Sequence, residues 1–318
     1  MSQHLPHNSF LGLIDPNTSP RASRLKRPAP IPMQLTERDE AIITRCWEDK
    51  LLSTSDLHTR FFGARARCVA RLRTLYSNHY LDRYLFPVQT PYRGATEALY
   101  TIGTKGSHVV SLRLDQSLNY VAMKRREFNA RTHDPSFLLT FRHLRAVIDT
   151  RLRFEQAFDS SDSWQMLGWI PERLLEDQFV VNTDGTVKRV KLRPDGFFQY
   201  QHTPSGHTYS AFVEADLGTM SHAQVVAKAN RYLQYFQTDL PQRRFGTRWF
   251  RVLLITTSDQ RATHLWQTLN ELTHSLFWLT SFEAIRQEHW LDSPVWLKVG
   301  HDGRHSLVNE RRGLGDRG

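Results

Sequence analysis

Arg193-Pro194-Asp195 and, beyond a short turn, Phe212-Val213-Glu214-Ala215-Asp216 are the residues whose types and spacing suit chemistry. Pro204-Ser205-Gly206 is a turn signal, and the flanking runs, Gly196 to Gln201 and Tyr209 to Leu217, are aromatic and β-branched enough for strands. A hairpin centred near Ser205 pairs residues whose numbers sum to about 410, which sets Asp195 opposite Glu214–Asp216. In the second strand Ala211, Val213, Ala215 and Leu217 alternate with Ser210, Phe212, Glu214 and Asp216, so the two acids share one face. Like charges gathered on a sheet need compensation, and a hard divalent cation held by oxygen ligands, Mg²⁺ or Mn²⁺, supplies it. A solvated strand face would give the same acids a purely structural role. Against that, they interrupt an otherwise apolar strand, and buried acids need partners.

Composition narrows the setting. The chain has 318 residues, 40% of them hydrophobic, with eight tryptophans, enough for two globular domains. No apolar run approaches the ~20 residues that span a bilayer, and Met1 to His7 has no signal-peptide core. Cys46 and Cys68 make neither a disulfide framework nor a metal spacing and fall on expected helix cores. A cytoplasmic location is therefore expected. A formal charge of +10 points to a polyanionic partner. Double-stranded DNA is the leading one, and a membrane is not expected, since no basic amphipathic helix stands out.

The elements that must position these residues fall into five stretches. Residues 1–33, rich in Pro and Ser with Arg21, Arg24, Lys26 and Arg27, read as a disordered basic arm. Residues 34–111 read as a winged helix-turn-helix. Its first helix opens at Thr36-Glu37-Arg38-Asp39 and carries Ile42, Ile43, Cys46 and Trp47 inward. A short second helix follows Ser53, and a third runs from about Ala64 to Asn78 with Val69, Leu72 and Leu75 inward. Strands Tyr80 to Val88 and Ala98 to Ile102 enclose a loop at Pro91-Tyr92-Arg93-Gly94. No acid lies between Asp56 and Asp82, whereas Arg60, Arg65, Arg67, Arg71 and Arg73 cluster there, as a DNA-reading helix requires. A solvated basic face is the bland alternative. Residues 112–135 show little periodicity and read as a linker. Residues 136–300 alternate helices and strands, an α/β domain with a mixed sheet. It starts with a helix over Phe141 to Phe158, has strands at Trp164–Trp169 and Phe179–Val181, then the acidic hairpin. A helix capped by Ser221 follows, then strand Trp249 to Thr256, a helix over Ser258 to Leu272 and a strand at Leu276–Thr280. The polar, glycine-rich residues 301–318 read as a disordered tail.

The order helix, acid-bearing hairpin, helix, strand resembles the PD-(D/E)XK, or restriction-endonuclease-like, nuclease core. Arg193-Pro194-Asp195 matches its first motif, and Glu214-Ala215-Asp216 its second in the first acid, with Asp216 where a lysine is usual. Leu35 to Val299 as a whole resembles the replication-relaxation family of bacterial plasmids and mobile elements. The likeness rests on Leu35–Asp39, Tyr100-Thr101-Ile102-Gly103-Thr104-Lys105-Gly106, Pro194-Asp195-Gly196, Glu214 to Thr219 and Lys228…Tyr232. That family includes a relaxase class with an acid-x-acid motif in a restriction-endonuclease-like domain. The resemblance implies that Asp195, Glu214 and Asp216 bind Mg²⁺ (or Mn²⁺) as catalytic residues and that Lys228 stands in for the missing lysine. Lys228 is equally readable as a surface lysine on an amphipathic helix. Glu155 is a further candidate ligand, and Tyr232 or Tyr235 a nucleophile only if either reaches the metal. No His-x-His pair and no Walker pattern occur, against a histidine-metal relaxase or an ATPase. Two functions stay open: a metal-dependent DNA-nicking enzyme, or a DNA-binding accessory factor or repressor on a degenerate nuclease fold. A homodimer and other mobilisation or replication proteins stay open as partners.

Overall fold

A computed structural model describes residues 21–22, 27–85, 97–134, 136–183 and 186–308. The chain divides into two units, residues 1–148 and 149–318, and the division falls inside one long helix.

In the first unit, β1 (Arg21–Ala22) precedes α1 (Glu37–Glu48), β2 (Leu52–Ser53), α2 (Thr54–Phe61), α3 (Arg65–Ser77), β3 (Leu81–Leu85) and β4 (Ala98–Ile102). α1 and α2 start where side chains satisfy orphan backbone donors: Thr36 with Asp39, and Ser53 with Asp56, form reciprocal capping boxes. The four short strands form one sheet in the order β1-β3-β4-β2, antiparallel throughout. Val69, expected to face inward, is 47% exposed. The buried stripe of α3 is Cys68, Leu72, Leu75 and Tyr76, one residue away, because Cys68 packs as a small hydrophobe. The loop at 91–94, with Arg24 and Lys26 of the arm, lies outside the described residues. Arg27, expected in a disordered arm, stacks 4.1 Å from the Tyr76 ring and pairs with Asp82 at 2.6 Å.

Residues 112–135, read as a linker, are largely helical: α4 (Thr104–Arg113) runs into them and α5 (Leu118–Arg131) follows. α5 buries Val121 alone, so it has no apolar stripe to betray it in the sequence.

α6 (Phe137–Asp159) leads into the second unit, followed by β5 (Trp164–Pro171), β6 (Asp177–Thr183), β7 (Thr186–Leu192), β8 (Gly196–His202) and β9 (Thr208–Asp216). Next come α7 (His222–Phe236), α8 (Leu240–Phe245), β10 (Arg251–Thr256), α9 (Asp259–Asn270), β11 (Phe277–Ser281), β12 (Trp296–Lys298) and β13 (Arg304–His305). Seven strands form a mixed sheet ordered β13-β12-β11-β10-β9-β8-β5, and β6 and β7 form a separate ribbon. β5 and β8, and β8 and β9, pair antiparallel, while β10 is parallel to β9 and to β11. Observed pairs such as Phe197 with Phe212 fall one short of the expected sum, and the last, Gly196 with Val213, places Asp195 beside Glu214.

Strand alternation sends Phe197 and Phe212 to a core shared with Tyr232 of α7 and Leu265 of α9. Phe198 points the other way, onto Phe154 of α6 at 5.2 Å. Both faces are covered, which is why β9 is buried from Ser210 to Asp216. Residues 301–308, expected in a disordered tail, instead supply β13 and the buried Leu307 and Val308. Trp249, expected to open β10, is 68% exposed and precedes it. Among the described residues no helix is long and apolar enough to cross a membrane.

Candidate functional site

β9 is flanked by β8 and β10, so acids on it have no solvent to turn to: Glu214 and Asp216 are each 1% exposed. Two helices supply their partners. On α7, Lys228 and Tyr232 stand four residues apart and thus on one helix face. Lys228 Nζ donates to Glu214 Oε2, and the Tyr232 hydroxyl donates to Oε1. Asp195, just ahead of β8, accepts the Ala215 N–H on Oδ2 at 2.9 Å, which carries the β8–β9 pairing past its last backbone bond. Gly196 follows because a Cβ there would lie 2.3 Å from the Trp169 ring. The sheet thus brings Asp195, Glu214 and Lys228 together.

Asp216 is held differently. Its Oδ2 accepts from Thr256 Oγ1 at 2.7 Å and from Arg261 Nε at 3.1 Å, and its Oδ1 accepts from the Gly218 N–H at 3.1 Å. Arg261 also donates to the Met220 carbonyl at 2.8 Å. Sequence reasoning missed Thr256 and Arg261. The available signal was the strand register, since Thr256 pairs directly with Asp216 across β9 and β10. Glu155, the further candidate ligand, pairs with Arg151 at 3.0 Å on α6.

Burial pushes the Glu214 carboxyl up to about 7, with Lys228 pulling it down and Asp195 adding to the rise. Burial works to lower Lys228 as well, but the charges of Glu214 and Asp195 outweigh it and hold the ammonium above its ordinary value. The two shifts pull against each other, one favouring a neutral acid and the other a charged pair. Lys228 keeps 25% of its side chain in solvent, so the ammonium persists and Glu214 is the member that titrates near neutrality. Tyr232 is fully buried, and burial together with Glu214 raises its phenol well above the ordinary value. A phenol held so firmly protonated is a donor to Glu214 and a poor nucleophile.

Mg²⁺ commonly keeps several waters and takes one or two protein carboxylates together with substrate phosphate oxygens. Asp195 and Glu214 fit that pattern: they are hard oxygen donors at adjoining strand positions, and a cationic group already sits against Glu214. The oxygens of Asp216 are taken up by Thr256, Arg261 and Gly218, and those of Glu214 by Lys228 and Tyr232, so a cation at Glu214 would have to displace Lys228. Among the described residues no group of three or more His, Cys, Asp or Glu is placed to hold a metal.

The arginine cluster of the first unit separates by environment. Arg71 donates to both Asp39 oxygens and to the Gln34 carbonyl. Burial opposes the charge on Asp39, yet Arg71 and Thr36 hold its carboxyl below the ordinary value. Arg65 donates to Ser55 Oγ at 3.0 Å and lies 3.7 Å from Glu97. Arg60, Arg67 and Arg73 are exposed.

A helical unit followed by a mixed-sheet unit, with an acid–lysine pair buried between its central strand and a helix, defines a two-unit α/β protein. The replication-relaxation family model matches residues 47–248, more than half of the chain, and the chain belongs to that family. Membership points to a role in plasmid or mobile-element replication or mobilisation. No curated protein and no solved structure matches the chain significantly.

Proposed function

We propose that this chain binds duplex DNA and nicks one strand, with a divalent cation, during replication or mobilisation of a plasmid or mobile element. One observation carries the reading: Lys228 on Glu214, with Asp195 beside them, is an acid–acid–lysine grouping on paired central strands. Strand order supports it. β5, β8, β9 and β10 lie side by side, antiparallel, antiparallel, then parallel, with α6 on one face and α7 on the other. That is the arrangement expected of a restriction-endonuclease-like core. In the first unit, α1, α2 and α3 followed by the β3–β4 ribbon support the winged-helix reading. Exposed Arg60, Arg67 and Arg73 suit phosphate contacts, whereas Arg71 serves the fold.

In this reading Asp195 and Glu214 bind the cation. When bound, Mg²⁺ or Mn²⁺ polarises the scissile phosphate and lowers the pKa of a coordinated water. Lys228, relieved of Glu214 by the incoming charge, orients the attacking water or neutralises the phosphate. Tyr232 fixes the Glu214 rotamer through its hydroxyl. Asp216, with Arg261 and Thr256, ties β9 to α9 and takes no part in the chemistry.

A second reading has its own observation. Glu214 accepts protein donors on both oxygens and is almost wholly buried, as in a nuclease fold that keeps its acids as scaffold and only binds DNA. Supercoiled plasmid carrying the native locus, incubated with Mg²⁺ or Mn²⁺, separates the two. Nicking by wild type that disappears in Asp195→Ala and in Glu214→Ala supports the enzyme. A gel shift without nicking overturns it in favour of the binding protein.

A further inference from the structure

The β6–β7 ribbon lies between β5 and β8 in sequence but outside their sheet. Its inner face is anchored: Phe179 packs 5.5 Å from Tyr235, and Phe179 and Leu192 belong to the core beneath α7. Asp177 accepts from the Tyr235 hydroxyl at 2.6 Å and is paired with Arg244. Strand alternation then presents Gln178, Val180, Asn182, Val187, Arg189 and Lys191 on the opposite face. Every one of these is exposed, Val180 by 58% and Val187 by 67%. The fold does not need two solvated valines in adjacent strands, and Arg189 and Lys191 of β7 are the cations beside them. Among the described residues one surface acid pairs with a cation of the ribbon's outer face, Glu176 on Lys191 at 2.7 Å.

We infer that this ribbon is a second duplex-DNA contact, entering the major groove beside the carboxylate centre. The inference rests on the DNA-directed reading above. A major groove admits a two-stranded ribbon. Arg189 and Lys191 answer the phosphates. Gln178 and Asn182 carry the paired donor and acceptor that base edges read, and Val180 and Val187 suit the thymine methyl. Position selects this surface over other basic ones. β7 ends at Leu192, three residues before Asp195, so the chain holds the ribbon's base within ~10 Å of that carboxylate. The same helix, α7, carries Lys228 on one turn and Tyr235, the anchor of the ribbon, two turns later. DNA gripped by the ribbon is thereby set in register with Asp195, Glu214 and Lys228.

The test uses the full chain and a short duplex from the native locus, with affinity measured by fluorescence anisotropy across a salt series. Replacing Arg189→Ala and Lys191→Ala together removes two phosphate contacts. The slope of log affinity against log salt should then flatten by about 1.8, with affinity roughly 60-fold weaker at ~0.1 M salt. Arg243→Ala with Arg248→Ala, exposed cations elsewhere on the unit, should leave the slope unchanged. Circular dichroism checks that each variant is folded. As a readout needing no substitution, duplex should protect Lys191 of the wild type from acetylation. An unchanged slope in the folded double variant, with Lys191 left unprotected, overturns the inference, as does a wild type that binds no duplex at all. A flattened slope in a protein that never nicks leaves the ribbon standing and removes only the catalytic reading.

Discussion

Glu214→Gln isolates the most unusual charge in the molecule. In the folded chain the carboxyl is 1% exposed and burial lifts it from an ordinary 4.5 to about 7. The folded state therefore holds the proton more tightly than the unfolded state does. The stabilisation this brings is complete below pH 4.5 and is lost as pH rises through about 7. Each tenfold change in proton affinity is worth about 1.4 kcal/mol, so wild type should lose about 3 kcal/mol over that window from this residue alone. Glutamine keeps the shape and does not titrate. Titrating groups other than Lys228 and Asp195, which interact with Glu214, are shared by the two proteins and cancel in their difference. Urea unfolding at pH 5, 6, 7 and 8 supplies that difference, and tryptophan emission reports the right unit, since Trp47 aside every tryptophan falls in residues 149–318. Relative to wild type, Glu214→Gln should gain about 2.5 kcal/mol between pH 5 and pH 8. A flat difference would mean that Lys228 neutralises the carboxylate completely and that burial does not govern this centre. A difference of opposite sign would place the folded carboxyl below 4.5 and refute the reasoning outright.

In the proposed nicking reaction the Glu214 carboxylate binds the cation, so the rate should rise with pH through about 7, and a rate independent of pH from 6 to 8 would contradict that. Arg261→Met leaves Asp216 buried with Thr256 as its side-chain partner, and should cost about 2 kcal/mol, less than a fully buried pair because Arg261 is 22% exposed. Adding Asp216→Asn should restore part of the loss, and urea midpoints check both. Arg71→Ala should lower the melting temperature without changing the salt slope of DNA binding, whereas Arg67→Ala and Arg73→Ala should each flatten the slope by about 0.9 at unchanged melting temperature. Gly196→Ala drives a methyl into the Trp169 ring and should destabilise by about 1–3 kcal/mol, read from the urea midpoint.

Local chemistry made much of this protein legible in its sequence. Capping residues announce themselves within a turn of the helix they start, so Thr36, Ser53 and Ser221 mark α1, α2 and α7. A two-residue period and a Pro-Ser-Gly turn are enough to fix the β8–β9 register within one residue, and with it the pairing of Asp195 with Glu214. Elements held by few or distant contacts gave no such signal. α5 buries one residue, β7 alternates valine with lysine and arginine, and β13 is two residues long. The partners of the acids were beyond reach for a related reason. Glu214 and Asp216 are two residues apart on one strand face and look equivalent in sequence. Their fates divide because α7 brings Lys228 and Tyr232 to the first, while β10 and α9 bring Thr256 and Arg261, 40 and 45 residues away, to the second. Which donors each acid meets is set by the packing of helices on the sheet, a long-range arrangement that local spacing does not encode. The sequence determined that two acids would be buried together, and the tertiary structure decided what each of them faces.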